Sequence, residues 1–177
     1  MLGAHRVGPP QKPTVLGAVT GAVAGLVAIT PAAGFVTVPG AMAIGVGCAV
    51  ICYLGVNTLK PRFGYDDALD VFGVHGLGGT WGALATGLFA TTSVNAGGAD
   101  GLFYGNAGQL WPQFVGVAAA WGLAIVGTAA ILGGIRLFTS LRVTEEEEIT
   151  GLDLSLHGEA AYSPGGSGVG TEPYRTS

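Results

Sequence analysis

The chain has 177 residues, 49% of them hydrophobic and only 10% charged, with 33 glycines and a formal net charge of −4. A water-soluble domain carries roughly 25% charged residues, so this composition excludes an ordinary soluble fold and fits a helical membrane protein, whose close helix contacts favour small residues. The negative balance excludes a generally basic nucleic-acid binder, and no nucleic-acid partner is expected.

The charges divide the chain. Residues 13–59 contain no Asp, Glu, Lys, Arg or His, residues 71–99 contain only His75, and residues 101–135 again contain none. A crossing helix takes about 20 apolar residues. The first stretch has room for two, so the pattern predicts an all-α integral membrane fold with four crossings and a lipid bilayer as its surroundings.

The first predicted helix covers residues 14–30 and follows Pro13, at a position where proline is tolerated. Its Gly17, Gly21 and Gly25 form a double GxxxG stripe, expected to let another backbone approach closely. The stretch from Pro31 to Gly40, with Pro39, turns the chain. A second helix covers residues 40–59 and ends at Lys60 and Arg62, in a polar loop running through Asp66 and Asp67. Cys48 and Cys52 share one face of it. A structural zinc site takes four ligands, so the pair reads as small buried packing residues, and it fixes no redox compartment.

The third predicted helix covers residues 70–90, with Asp70 placed to cap or complement its N-terminus. A polar, Gly-rich loop over residues 91–110 leads to a fourth helix at 113–137, where Trp111 and Trp121 serve as interfacial or packing aromatics. Beyond Arg142 comes an acidic run, Glu145 to Glu148, expected to be a solvated helix face. Residues 163–170 are Gly/Ser-rich and expected to be disordered. The domain reading is a cytoplasmic leader over 1–12, a membrane domain over 13–141 and a cytoplasmic tail over 142–177.

With four crossings, Arg6, Lys12, Lys60, Arg62, Arg136, Arg142 and Arg175 all fall on one side, and the opposite loops carry no Lys or Arg. The positive-inside rule then places both termini in the cytoplasm. A cleaved signal peptide is the competing reading of the N-terminus: a basic start, an apolar stretch to Ile29, and small residues Ala28, Ala32 and Ala33 near a possible cleavage site.

His75 is the ionisable side chain inside a predicted crossing. Such residues face a cavity or a partner, and a neutral imidazole keeps one donor and one acceptor. The alternative is a histidine satisfied between packed helices. Gly73, Gly76, Gly79 and Gly82 leave room for close packing around it. Five residues separate it from Asp70, about 7–8 Å of helix, which is the inner third of a bilayer. Catalysis is not expected: no nucleophile sits beside a base, and there is no zinc set, P-loop or cofactor motif.

Three stretches resemble the ammonium transporter family that also includes the Rh proteins. They are KPTVLGAVTGAVAGLVAITP with the following AAGFV, then YDDALDVFGVHGLGGTWGALATGLFA, and finally the segment containing EEEEITGLDLSLHGEAAY. Their order and spacing are those of the family, and the DxFGVHGxGG core is specific. The resemblance implies the last four helices of an eleven-helix fold plus its tail, and therefore an incomplete fragment. It implies ammonium or ammonia transport in a plasma or inner membrane, by homotrimers with one pore per subunit and with PII-type regulators on the cytoplasmic face. In that family two histidines share a hydrogen bond in a narrow apolar pore. His75 matches the second and Val71 a pore-lining apolar position. Asp67 and Asp70 match residues of structural or inner-mouth role. Ser155 matches a position that is a phosphorylated Thr in some plant members. His157 reads as a tail packing residue. Alternative readings are a non-conducting regulatory or assembly subunit, and one half of a split transporter.

Overall fold

The computed structural model describes residues 15–160; the leader over 1–12, Pro13 and the Gly/Ser-rich run at 163–170 lie outside them. Within the described residues the regular structure is helical apart from one antiparallel bridge, Val36 to Ala90. Helix α1 spans Val15–Ile29 and tightens into a 3-10 turn at Thr30–Ala32. Helix α2 spans Val38–Leu54. It starts before the expected residue 40 because Thr37 caps it, its hydroxyl accepting from the Gly40 N–H at 3.4 Å, and because Pro39 is harmless in a first turn.

Helix α2 continues through a π turn, Gly55–Leu59, into a short helix α3, Lys60–Phe63, which Gly64 ends at φ 62. The next helical run begins at residue 71, one later than expected, because Asp70 takes a left-handed φ of 55. It is π over Phe72–Leu77 and becomes helix α4 over Gly78–Phe89. Helix α5 spans Leu110–Arg136, with Pro112 absorbed into its first turn, and helix α6 spans Glu145–Thr150. Three of these helical runs are long and apolar enough to cross a membrane: Val15–Ala32, Val38–Phe63 and Ala107–Arg136.

Two compact units are distinguished, Met1–Ala124 and Ile125–Ser177. The core of the first is built from small residues at helical spacing: Ala24, Ala28 and Ala32 from α1 and its 3-10 turn, Gly40, Ile44, Cys48 and Cys52 from α2, then Val74, Gly78, Gly82 and Ala85. Helices this bare meet backbone to backbone. A Cβ on Gly82 would lie 2.1 Å from the Ala28 carbonyl oxygen, and one on Gly78 would lie 3.0 Å from the Cys52 sulfur. A Cβ on Gly47 would lie 2.5 Å from the Trp81 ring, whose Nε1 donates to the Ile44 carbonyl at 2.9 Å.

These pairings fix the directions. Ala28 meets Gly82 while Val27 meets Gly78 and Gly79, so α1 and α4 run the same way side by side. Cys48 donates to the Ala24 carbonyl at 3.1 Å, and Cys52 reaches the Val74 carbonyl at 3.9 Å, so α2 runs against both. The two thiols are free, buried and 3.4 Å apart, filling the space that Gly78 leaves.

The expected GxxxG seam is not where α1 makes its close approach. Gly21 and Gly25 would meet nothing within 4 Å, whereas Ala24 and Ala28 are buried. One residue is about 100° around a helix, so the alanine face cannot also be the glycine face. The closest fit comes from the glycines of the facing helix.

Residues 91–109 are more ordered than a linker. The Thr91 N–H donates to the Phe35 carbonyl and the Gly101 N–H to the Ala90 carbonyl, both at 2.8 Å, and Phe103 packs on Phe89 with ring centroids 4.9 Å apart. The Asp100 carboxylate accepts from the Thr92 N–H at 2.7 Å and from the Thr92 hydroxyl at 3.2 Å. The Thr92 backbone N–H, then the Thr91 and Thr92 hydroxyls, hold this carboxyl below its ordinary range.

In the second unit Thr144 and Glu147 form a capping box, with the Thr144 N–H donating to Glu147 Oε2 at 2.8 Å and the Glu147 N–H to Thr144 Oγ1 at 3.3 Å. The bond from the Thr144 N–H, with the hydroxyl behind it, holds the Glu147 carboxyl below its ordinary range. Of the acidic run, Glu145, Glu146 and Glu148 are exposed, and Glu148 pairs with Arg142 at 3.3 Å.

Two measurements check this architecture. Gly82→Ala is expected to destabilise the protein by about 2 kcal/mol in denaturant titration, whereas Gly25→Ala stays within about 0.5 kcal/mol; equal effects contradict the Gly82–Ala28 approach. Because the folded-state pKa of Asp100 is depressed, its clamp on Thr92 is fully formed above the ordinary carboxylate range. It is lost as pH falls through the depressed folded value. Hydrogen exchange at the Thr92 amide, corrected for intrinsic rate, is therefore expected to accelerate only in that acid window, and Asp100→Asn to remove the acid dependence.

Candidate functional site

The site begins where the chain re-enters the bundle. Gly64 reverses the chain after α3, and the Lys60 ammonium reaches the segment that follows, donating to the Asp67 carbonyl at 2.5 Å and to Asp70 Oδ1 at 2.6 Å. The Asp67 carboxylate accepts from the N–H groups of Val71 and Phe72 at 2.8 and 2.9 Å. The helix cap expected of Asp70 is thus made by Asp67. Left-handed backbone at Asp70 turns its carboxylate to Lys60, while its carbonyl accepts from the Val74 N–H at 2.9 Å.

The run then goes through π geometry, a form found at re-aimed helix segments and functional sites. Its buried side is held by glycines. A Cβ on Gly73 would lie 2.7 Å from Val56, and one on Gly55 would lie 2.6 Å from Leu77, so two π turns pack against each other. On the flank, the Phe72 ring meets the Trp121 ring edge-on at 5.9 Å. Trp121 Nε1 donates to the Thr80 hydroxyl at 2.9 Å, and that hydroxyl donates to the Gly76 carbonyl at 2.7 Å.

With Gly73 and Val74 turned inward, His75 is exposed and faces a groove of about 430 Å³ lined by Val23, Leu26, Val27, Thr30, Pro31 and Gly79. The Thr30 hydroxyl is already committed to the Leu26 carbonyl at 2.6 Å. His75 is the one titratable side chain of the lining. A neutral imidazole offers one donor and one acceptor. Among the described residues no group of His, Cys, Asp and Glu is placed to hold a metal ion.

Val71 lies four residues before His75 and is exposed, outside the groove lining. Asp67 and Asp70 lie at the start of the run and meet through Lys60. Ser155 belongs to the second unit, exposed in the π turn Asp153–His157, its N–H donating to the Gly151 carbonyl at 2.9 Å; His157 is exposed there as well. Sequence reasoning treated Lys60 as a flanking charge and gave Thr80 no role. Lys60 and Asp70 are ten residues apart across a loop, a spacing that marks no helical pair. The signal for Thr80 was a hydroxyl inside an apolar run, where it needs a backbone or neighbouring partner.

A family model, the Ammonium Transporter Family, matches residues 3–162. The chain is 60% identical over 152 residues to the ammonium transporter of Bacillus subtilis (strain 168), covering 86% of this chain and 38% of that protein. It is 53% identical to the ammonium transporter of Aquifex aeolicus (strain VF5), covering 86% and 35%. The crystal structure of Saccharomyces cerevisiae Mep2 is similar at a TM-score of 0.70 and 35% identity, over 76% of this chain and 31% of that one. The chain thus spans little more than a third of the length of the curated relatives it matches.

The cap assignment has its own check. Asp67→Ala is expected to cost about 1 kcal/mol and to speed amide exchange at Val71 and Phe72. Asp70→Ala removes a partly exposed pair worth about 0–1 kcal/mol and leaves those two amides bonded. The reverse pattern would return the cap to Asp70.

Proposed function

The chain belongs to the ammonium transporter family, and on that premise we propose that it supplies the His75-bearing wall of a pore that passes ammonium nitrogen across a membrane as ammonia. The observation carrying this reading is the single imidazole on the face of an otherwise apolar groove. Moving a bare cation through hydrocarbon is expensive, whereas a neutral amine needs only modest hydrogen-bonding support. Ammonia donates and accepts, and neutral imidazole does both. Potassium and sodium ions find no replacement for their hydration along Val23, Leu26 and Val27, so the same surface that admits ammonia refuses them.

Val71 extends the wall toward one mouth, and Asp67 and Asp70 shape that mouth. The opposing wall, with the first histidine of the family's pair, comes from the rest of the length that the relatives possess. Residues 71–89 make the fourth crossing beside the three other long apolar helices. In the same reading that mouth and both termini face the cytoplasm of a cell whose plasma or inner membrane holds the protein, a placement supported by the positive-inside rule applied to the sequence. Assembly as a homotrimer, a PII-type regulator on the cytoplasmic face, and control through Ser155 belong to this reading, supported by family membership.

The test uses a chimera in which residues 12–162 replace the matching segment of the Bacillus subtilis relative, in cells lacking their own ammonium transporters. Growth on limiting ammonium is expected, and His75→Ala is expected to change methylammonium uptake by about tenfold or more, the scale of one lost hydrogen bond in a dry site. His75→Glu, which offers a counter-charge, is expected to admit a charged species, read as ammonium-dependent current. Unchanged uptake and current in both variants would remove His75 from conduction.

A further inference from the structure

We infer that Lys60 is a positioning residue for His75: held between the Asp67 carbonyl and the Asp70 carboxylate, its ammonium fixes where the π segment starts and so which way the imidazole faces. The inference rests on the pore reading for its functional meaning alone, and its structural content is testable without transport.

The argument follows the bonds. Lys60 stands on α3, which continues without a break from α2, so its origin is fixed by the helix that packs at Gly55 against Gly73 and Leu77. Two of its three N–H donors reach into the loop before the π segment, at 2.5 and 2.6 Å. The residue it grips by the carbonyl, Asp67, is the residue whose carboxylate binds the N–H groups of Val71 and Phe72. The residue it grips by the carboxylate, Asp70, sits at φ 55, a backbone region that L side chains avoid unless something holds them there. The Asp70 carbonyl in turn accepts from the Val74 N–H, immediately before His75.

One lysine therefore supports both anchors of the first turn. A register slip of one residue turns each side chain of an α-helix by about 100° about its axis, and a slip in a π segment likewise re-aims its side chains. Applied to this run, such a slip would carry His75 out of the groove shared with Val23, Leu26 and Val27. The neighbouring Arg62 is exposed, lies on the same short helix and has no partner among the described residues, which makes it the matched control.

The experiment takes the full chain in lipid nanodiscs and reads two quantities: hydrogen exchange along residues 71–77, and the imidazole carbon–proton NMR signal of His75. Lys60→Met is expected to speed exchange at Val71, Phe72 and Val74 by about tenfold, leaving residues 83–88 protected, and to displace the His75 signal. Lys60→Arg is expected to retain the wild-type pattern, and Arg62→Met to change neither quantity. Wild-type exchange and an unmoved His75 signal in Lys60→Met overturn the inference, as does an equal effect from Arg62→Met. If Lys60→Met loses protection throughout, Asp70→Asn replaces it: faster exchange at Val74 with Val71 and Phe72 still protected and a displaced His75 signal supports the inference, and an unmoved His75 signal or a uniform loss overturns it. A positive result here alongside unchanged uptake in the His75→Ala chimera would sink the pore reading and leave the positioning standing.

Discussion

The approach of Gly82 to the Ala28 carbonyl is the constraint on which the rest of the first unit depends. Two backbones that close leave no space for a side chain between them, and the 2.1 Å that a Cβ would have from that oxygen shows how little tolerance there is. In lipid, helices gain nothing by hiding apolar surface from water, so packing contact and polar bonds must hold them. The small residues along α1, α2 and α4 answer that need. The bonds that tie the helices go to backbone carbonyls: Trp81 to Ile44, and Cys48 to Ala24.

That approach also sets the groove. With α1 pressed to α4 at Gly82, the wider residues Val23, Leu26 and Val27 lie beside the preceding turns of the facing helix, where His75 and Gly79 stand. A Cβ on Gly79 would lie 4.0 Å from Val27. The space in front of the imidazole thus exists because one helix is bare and the other bears branched apolar side chains. π geometry completes the arrangement. It buries Gly73 and Val74 against the α2 side while leaving His75 on the opposite, open side of the same turn.

Much of this was legible in the residues. The uncharged stretches located the long helices to within a few positions, because a missing charge is a strong signal in a chain that must satisfy a bilayer. His75 stood out for the same reason. The glycine stripe of α1 is not the face that meets α2 and α4, because GxxxG spacing states that close approach is possible on a face without stating which partner takes it. Gly21 and Gly25 look out on open space while Gly78 and Gly82 receive α1 and α2. Helix capping was a reading open to both Asp67 and Asp70, and the residue that makes the bonds is Asp67; what no local pattern announces is the left-handed turn at Asp70, which sends that carboxylate to Lys60 instead. The order of residues 91–109 rests on Thr91 meeting Phe35, which is distant in sequence, on Gly101 returning to Ala90, and on one carboxylate finding Thr92.

The distribution of charge along the helix that carries His75 bears on what can move beside it. At its start stand Lys60, Asp67 and Asp70, bound to one another and to the backbone; beyond its far end stands Asp100, bound to Thr92. A carboxylate whose lone pairs are already engaged by protein donors is a poor trap for a passing cation, and a lysine shared between two oxygens is a poor barrier to one. At both ends these charged groups are held in place by bonds to the protein. The discrimination proposed for this surface then falls on the stretch between them, where the walls offer a cation no oxygen ring to replace its water. On that proposal what remains between them is one imidazole, which offers hydrogen bonds beside apolar side chains.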